Sequence, residues 1–139
     1  MTKRYTLTMS AEQASVIIRA LDLYSRIGIG QFEEVARVYE TSRDLSFMQE
    51  EDLKTCLINA KVAAGHPKNG SFGIHNIVVS DKFRVAWDLQ QVVRHRMAYD
   101  TRPEGNPMNV HFDTPYQCSK EPLATIVSED VAEPKPEPT

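Results

Sequence analysis

The stretch SDKFRVAWDLQQVVRHRMAY, residues 80–99, constrains this chain most, because wound as a helix it is sided in two directions. Val85, Ala86, Leu89, Val92, Val93 and Met97 fall in one aliphatic arc, and Phe83, Trp87, Gln90 and Arg94 line up nearly opposite. A surface helix needs only one such arc. The second flank carries the only tryptophan of the chain beside an arginine, so something must cover it. Another part of the fold, a second subunit and a ligand all remain open. In the ligand case Trp87 or Phe83 stacks a base and Arg94 grips a phosphate.

A chain of 139 residues is one domain's length and buries roughly 68% of its unfolded surface without metal or disulfide support. No apolar run approaches the roughly 18 residues of a membrane span, and MTKRYTLTMS lacks the apolar block of a secretion signal, so a cytoplasmic location is expected. Cys56 and Cys118 read as free thiols, Cys56 as a small buried hydrophobe. Residues 120–139 hold five acids and two bases, which is the whole of the net charge of −3. The body is therefore neutral, which disfavours bulk attraction to nucleic acid or to a membrane surface.

Residues 4–9 alternate, with Tyr5, Leu7 and Met9 on one side, as a half-buried strand does. Ser10 with Gln13 and Ser46 with Gln49 have capping-box spacing and open two helices, ended by Gly28 or Gly30 and by Gly65. The first buries Ala14, Ile17, Ile18, Leu21 and Tyr24, and Asp22 can pair with Arg26 one turn on. The other buries Leu53, Cys56, Leu57, Ala60 and Ala64. Residues 31–42 form a short amphipathic helix between them through Phe32, Val35, Ala36 and Tyr39.

GHPKNGSFGIHN, residues 65–76, is a turn-rich loop, and two prolines and a glycine break the chain after Asp100. Residues 108–113 alternate again. Because a lone strand is not stable, the two end strands are expected to pair with each other or with a second subunit. The fold class is then α+β: a bundle of about four helices with a small antiparallel sheet from the N- and C-terminal strands. The globular domain spans residues 1–119, and the acidic, proline-rich residues 120–139 form a disordered tail.

The loop's glycines, with Lys68, Asn69, Ser71 and His75, offer anion contacts but lack phosphate-loop order. Turn chemistry alone also accounts for them. His66, His75, His95 and His111 are scattered without metal-ligand spacing, and no catalytic motif is present, so neither a metal, a cofactor nor an enzyme is expected. Arg84 and Asp88 have the spacing of a solvated ion pair beside His95. DNA binding through Lys82, Arg84, Gln90, Gln91 and Arg94 fits those residue types but not their spread around the helix.

ALDLYSRIGIGQFEEV, residues 20–35, and AWDLQQVVRHRMAYD, residues 86–100, resemble small accessory proteins of tailed bacteriophages. That resemblance implies a counter-defence factor. Some such factors sequester nucleotide immune signals and others block a host protein. The expectation is a non-catalytic homo-oligomer holding a nucleotide between subunits, with Phe83, Trp87, Gln90, Arg94, Lys68, Asn69, Ser71 and His75 as ligand residues. The alternative is a protein–protein interaction module acting on a host or viral partner.

Overall fold

A computed structural model describes residues 3–40, 45–101 and 115–130. Among them four helices follow in order: α1 (Ala11–Gly28), α2 (Glu34–Glu40), α3 (Phe47–Ala63) and α4 (Asp81–Thr101). Both capping boxes form, with the Ser10 and Ser46 hydroxyls accepting from the Gln13 and Gln49 backbones and the glutamine side chains returning the contact. Both glycine stops form as well. Gly30 (φ 97°) and Gly65 (φ 91°) take the left-handed conformation that reverses the last turn. The Gln31 N–H then reaches the Arg26 carbonyl at 2.9 Å and the His66 N–H the Lys61 carbonyl at 3.0 Å, six-residue closures at each helix end.

α2 starts later than its pattern predicts. Residues 31–33 are spent in tight turns, in which the N–H groups of Glu34, Val35 and Ala36 bond the carbonyls of Gln31, Phe32 and Glu33.

α1 packs chiefly on α4, while α3 touches no other helix than α2 among the described residues. The buried apolar side chains are small: Ala14, Ala36, Val79, Ala86, Val92 and Val93. Small residues let α1 and α4 pack together, and Gly28 lets the Phe83 ring lie against the α1 backbone, because a Cβ there would lie 2.0 Å from the Phe83 Cγ. Phe83 also stacks on Tyr24 with ring centroids 5.0 Å apart, and Gln90 is 4% exposed. The aromatic flank thus gives Phe83 to α1 and buries Gln90 within the fold. Trp87 and Arg94 are half-buried.

The opposite side of α4 meets the chain a second time. The carboxylate of Asp88, 4% exposed, accepts the Cys118 N–H at 2.7 Å, the Ser119 N–H at 3.0 Å and the Ser119 hydroxyl. The Cys118 thiol donates to the Arg84 carbonyl, and farther on the Ser128 hydroxyl donates to Asp100. Residues 115–130 therefore run alongside α4 in the same direction as the helix, without regular structure.

Several expectations are corrected. No strand exists among the described residues, so the antiparallel sheet from the two ends is not part of this fold. Residues 3–9 alternate in sequence but pair with no backbone among the described residues, and Tyr5 is 91% and Leu7 71% exposed. Alternation supplies a face, whereas a ladder needs a partner strand. The other expected strand, residues 108–113, lies outside the described residues. Cys56 is exposed rather than buried: among the described helices only short α2 packs on α3. Arg84 does not pair with Asp88; it forms an ion pair with Asp81 at 3.6 Å and donates to the Asn76 carbonyl at 2.8 Å, leaving Asp88 for the C-terminal segment. No helix of the described residues is long and apolar enough to cross a membrane.

The buried charge on α3 is Lys61, 2% exposed. An ammonium taken from water needs compensating partners. Glu33 Oε1 at 2.8 Å and the Gly70 carbonyl at 3.1 Å supply them, so one side chain ties α3, the approach to α2 and the following loop together. For Glu33, burial raises the pKa, but the hydrogen bond from Lys61, a backbone hydrogen bond and the Lys61 charge together outweigh burial and hold the carboxyl below its ordinary value. A carboxyl depressed in the folded state adds stability above its unfolded pKa and loses it as the pH falls through the folded value. Urea midpoints at pH 7 and pH 3 should therefore differ less in Glu33→Gln than in the native chain. Equal acid sensitivity in the two proteins would contradict this role.

Candidate ligand groove

Where α1 and α3 end and α4 begins, a groove of about 370 Å³ opens, lined by Gly28, Ala64, Gly65, His66, Phe72, Val78, Ser80, Lys82 and Phe83. Its position follows from the two glycine stops. Each turns the chain sharply at a helix end, and the two turns meet, with a Cβ at Gly30 falling 2.9 Å from His66 Nδ1. His66 then lies between Phe32 and Phe72, with ring centroids 5.5 and 5.4 Å away.

Residues 65–80 look like a free loop in sequence but are tethered along their length. The Phe72 N–H bonds the Ile29 carbonyl at 2.8 Å, the Gln31 amide reaches the Ser71 hydroxyl at 3.3 Å, and Lys61 holds the Gly70 carbonyl. Tyr116 Oη and His75 Nε2 share a hydrogen bond at 3.3 Å, and Arg84 holds the Asn76 carbonyl. The aromatic wall is thus set in advance of any ligand, which lowers the ordering cost of binding.

Phe72, Phe83 and His66 provide ring faces, and Lys82 provides the charge. The Lys82 Nζ lies 5.1 Å from the Phe83 ring centroid and meets no carboxylate among the described residues. Among the described residues the groove lining contains no acid. Such a site attracts an anion with a flat ring. His66 Nδ1 is buried without a hydrogen-bond partner. A larger groove of about 640 Å³, between residues 7–10 and the start of α1, is lined among the described residues by Glu12 and no cation, so it does not suit an anion despite its size.

Of the expected ligand residues, only Phe83 lines this groove. Lys68, Asn69, Ser71 and His75 are exposed on the tethered loop, Ser71 and His75 as its anchors to Gln31 and Tyr116. Gln90 bonds the Gln91 side chain, and Trp87 and Arg94 lie farther along α4. Sequence reasoning missed His66, Phe72 and Lys82. The glycine stops were the available signal, since they bring His66 beside the α1 terminus. Among the described residues no group of three or more His, Cys, Asp or Glu is placed to hold a metal. Compared with known proteins, the chain matches no family model, no curated protein and no solved structure.

Proposed function

We propose that this protein is a non-catalytic binding protein that captures a nucleotide in the groove between the α1 and α3 termini and the start of α4. The supporting observation is the pairing of preset aromatic walls with a lysine that, among the described residues, has no carboxylate partner, in a lining whose described residues include no acid. Among the described residues the lining offers no carboxylate to pair with His66 for acid–base work, which favours capture over turnover. The resemblance to phage accessory proteins gives that capture a purpose, the removal of a nucleotide immune signal.

Magnitudes limit how tight one groove can be. Base stacking contributes about 1–3 kcal/mol and one charged hydrogen bond about 1.5–3 kcal/mol, whereas nanomolar capture requires about 12 kcal/mol. A single chain therefore binds at micromolar strength or weaker. Tighter capture needs groups from a second copy, for which Ile77, 95% exposed, and its neighbour Val78 offer apolar surface at the groove's edge.

Titration calorimetry of the full chain against mono-, di- and cyclic nucleotides tests the proposal. Saturable binding is expected, weakened at least about tenfold by Lys82→Met or by Phe72→Ala, with the nucleotide recovered chemically unchanged. No saturable heat with any nucleotide, or conversion of the ligand, would remove the reading.

A further inference from the structure

Residues 3–8 are exposed, and among the described residues no backbone N–H or carbonyl of residues 3–9 takes part in a hydrogen bond. A row of unpaired backbone groups is a template for another strand. This template has a defined end. The Ser10 N–H donates to the Gln13 side chain at 2.8 Å and the Ser10 carbonyl accepts the Ala14 N–H at 2.9 Å, so both backbone groups of the cap are spent and a ladder stops at Met9. The segment also borders the larger groove, which Leu7, Thr8 and Met9 line together with Glu12, Val16 and Ile17. Leu7 is 71% and Val16 59% exposed, an apolar rim left in water. The rim carries the acid Glu12, while Lys3 and Arg4 at the other end of the segment meet no carboxylate among the described residues.

We propose that residues 3–9 form an interaction strand that pairs antiparallel with the same residues of a second copy of this chain, with Thr6 on the two-fold axis. It joins two copies rather than the two ends of one chain, and it does not depend on the nucleotide reading. Residues directly opposite in an antiparallel pair share a face. An axis between two residues would set Tyr5 and Leu7 opposite polar residues. An axis at Leu7 would need the spent backbone of Ser10, and one at Tyr5 would carry the partner's Lys3 back to Leu7, away from Glu12. With Thr6 on the axis the whole unpaired stretch is used, and Tyr5 stands opposite the partner's Leu7. The partner's Lys3 and Arg4 then stand opposite Met9 and Thr8, beside the groove that holds Glu12, and symmetry repeats this at the other end. Like charges stay apart. At about 3.4 Å per residue the two Arg4 side chains are about 14 Å and the two Lys3 side chains about 20 Å apart along the ladder, beyond the Debye length of about 10 Å at 0.1 M salt. Seven residues a side is well below the about 20–30 of a standard interface, so the dimer is weak, with a dissociation constant on the order of 10–100 μM.

Sedimentation equilibrium of the full chain, from about 5 to about 500 μM, is the experiment. A reversible monomer–dimer equilibrium is expected. Thr6→Lys and Thr6→Glu each set like charges face to face on the axis, so each variant alone should dimerise at least about tenfold more weakly. An equimolar mixture of the two should recover native strength or better, because an ammonium then faces a carboxylate. Thr6 is exposed and outside the helices, so both variants should keep the native far-UV circular dichroism, which separates lost pairing from lost folding. A chain that stays monomeric at every concentration would overturn the inference and leave the segment to a different protein. A dimer indifferent to both variants would overturn it by placing the contact elsewhere, and failure of the mixture to recover would overturn the pairing about Thr6. Growth past two copies would overturn the closed two-fold arrangement.

Discussion

Asp88→Ala should lower the unfolding free energy by about 2–4 kcal/mol and release residues 115–121 from α4. The carboxylate accepts from the Cys118 N–H, the Ser119 N–H and the Ser119 hydroxyl, all from one stretch of chain. A buried donor left without an acceptor costs about 1–3 kcal/mol, and three such donors would cost more than the segment's docking is worth. The segment would therefore lift into water, and the loss saturates at its docking energy. Cys118 gives an independent readout. Burial first, then its hydrogen bond and proximity to Asp88, push this thiol up to about 12, so it is almost wholly protonated at neutral pH. In the native chain only exposed Cys56 should react quickly with a thiol reagent. In Asp88→Ala both thiols should react quickly. A urea midpoint equal to the native one with Cys118 still protected would show that Asp88 does not hold this segment.

Gly28→Ala is expected to destabilise the protein by about 2–4 kcal/mol, opposite in sign to the usual effect. Within a helix the exchange normally gains about 0.5–1 kcal/mol, because glycine loses more backbone freedom on folding. Here the new methyl would lie 2.0 Å from Phe83 Cγ and 2.3 and 2.4 Å from the two adjoining ring carbons. Cγ is the ring's point of attachment, so it cannot swing aside as the far end of a flexible side chain would. Either Phe83 leaves its rotamer or α1 and α4 move apart, and forced overpacking costs about 1–3 kcal/mol or more. Adding Phe83→Leu should recover part of the loss, with a coupling of about 1–3 kcal/mol between the two sites. A Gly28→Ala chain as stable as the native one, or additive effects in the double variant, would contradict this packing.

The features legible in the sequence are those that close within a few residues. Ser10 with Gln13, Ser46 with Gln49, the Asp22–Arg26 pair at 2.9 Å and the stops at Gly30 and Gly65 all satisfy groups no more than six residues apart. Which residues of an amphipathic arc are covered is not such a feature. α3 shows this: its pattern marks Cys56 and Ala60 for burial, yet both are exposed and Lys61 is enclosed, because Glu33 and Gly70 come to meet it from elsewhere in the chain. Asp88 repeats the lesson with its roles reversed. Its spacing from Arg84 suggests a wet ion pair, but thirty residues later the chain offers it two backbone donors.

By itself the sequence determined where helices start and stop and that α4 is covered on more than one side, since local hydrogen bonding and helical periodicity act on neighbours along the chain. Only the tertiary structure decided what does the covering: Gly28 under Phe83, the C-terminal segment on Asp88, and His66, Phe72 and Lys82 gathered around one groove. The physical reason is distance along the chain. The Gly28–Phe83 and Asp88–Cys118 contacts join residues 55 and 30 positions apart, and packing at that range depends on shape and compensated charge that no local pattern encodes.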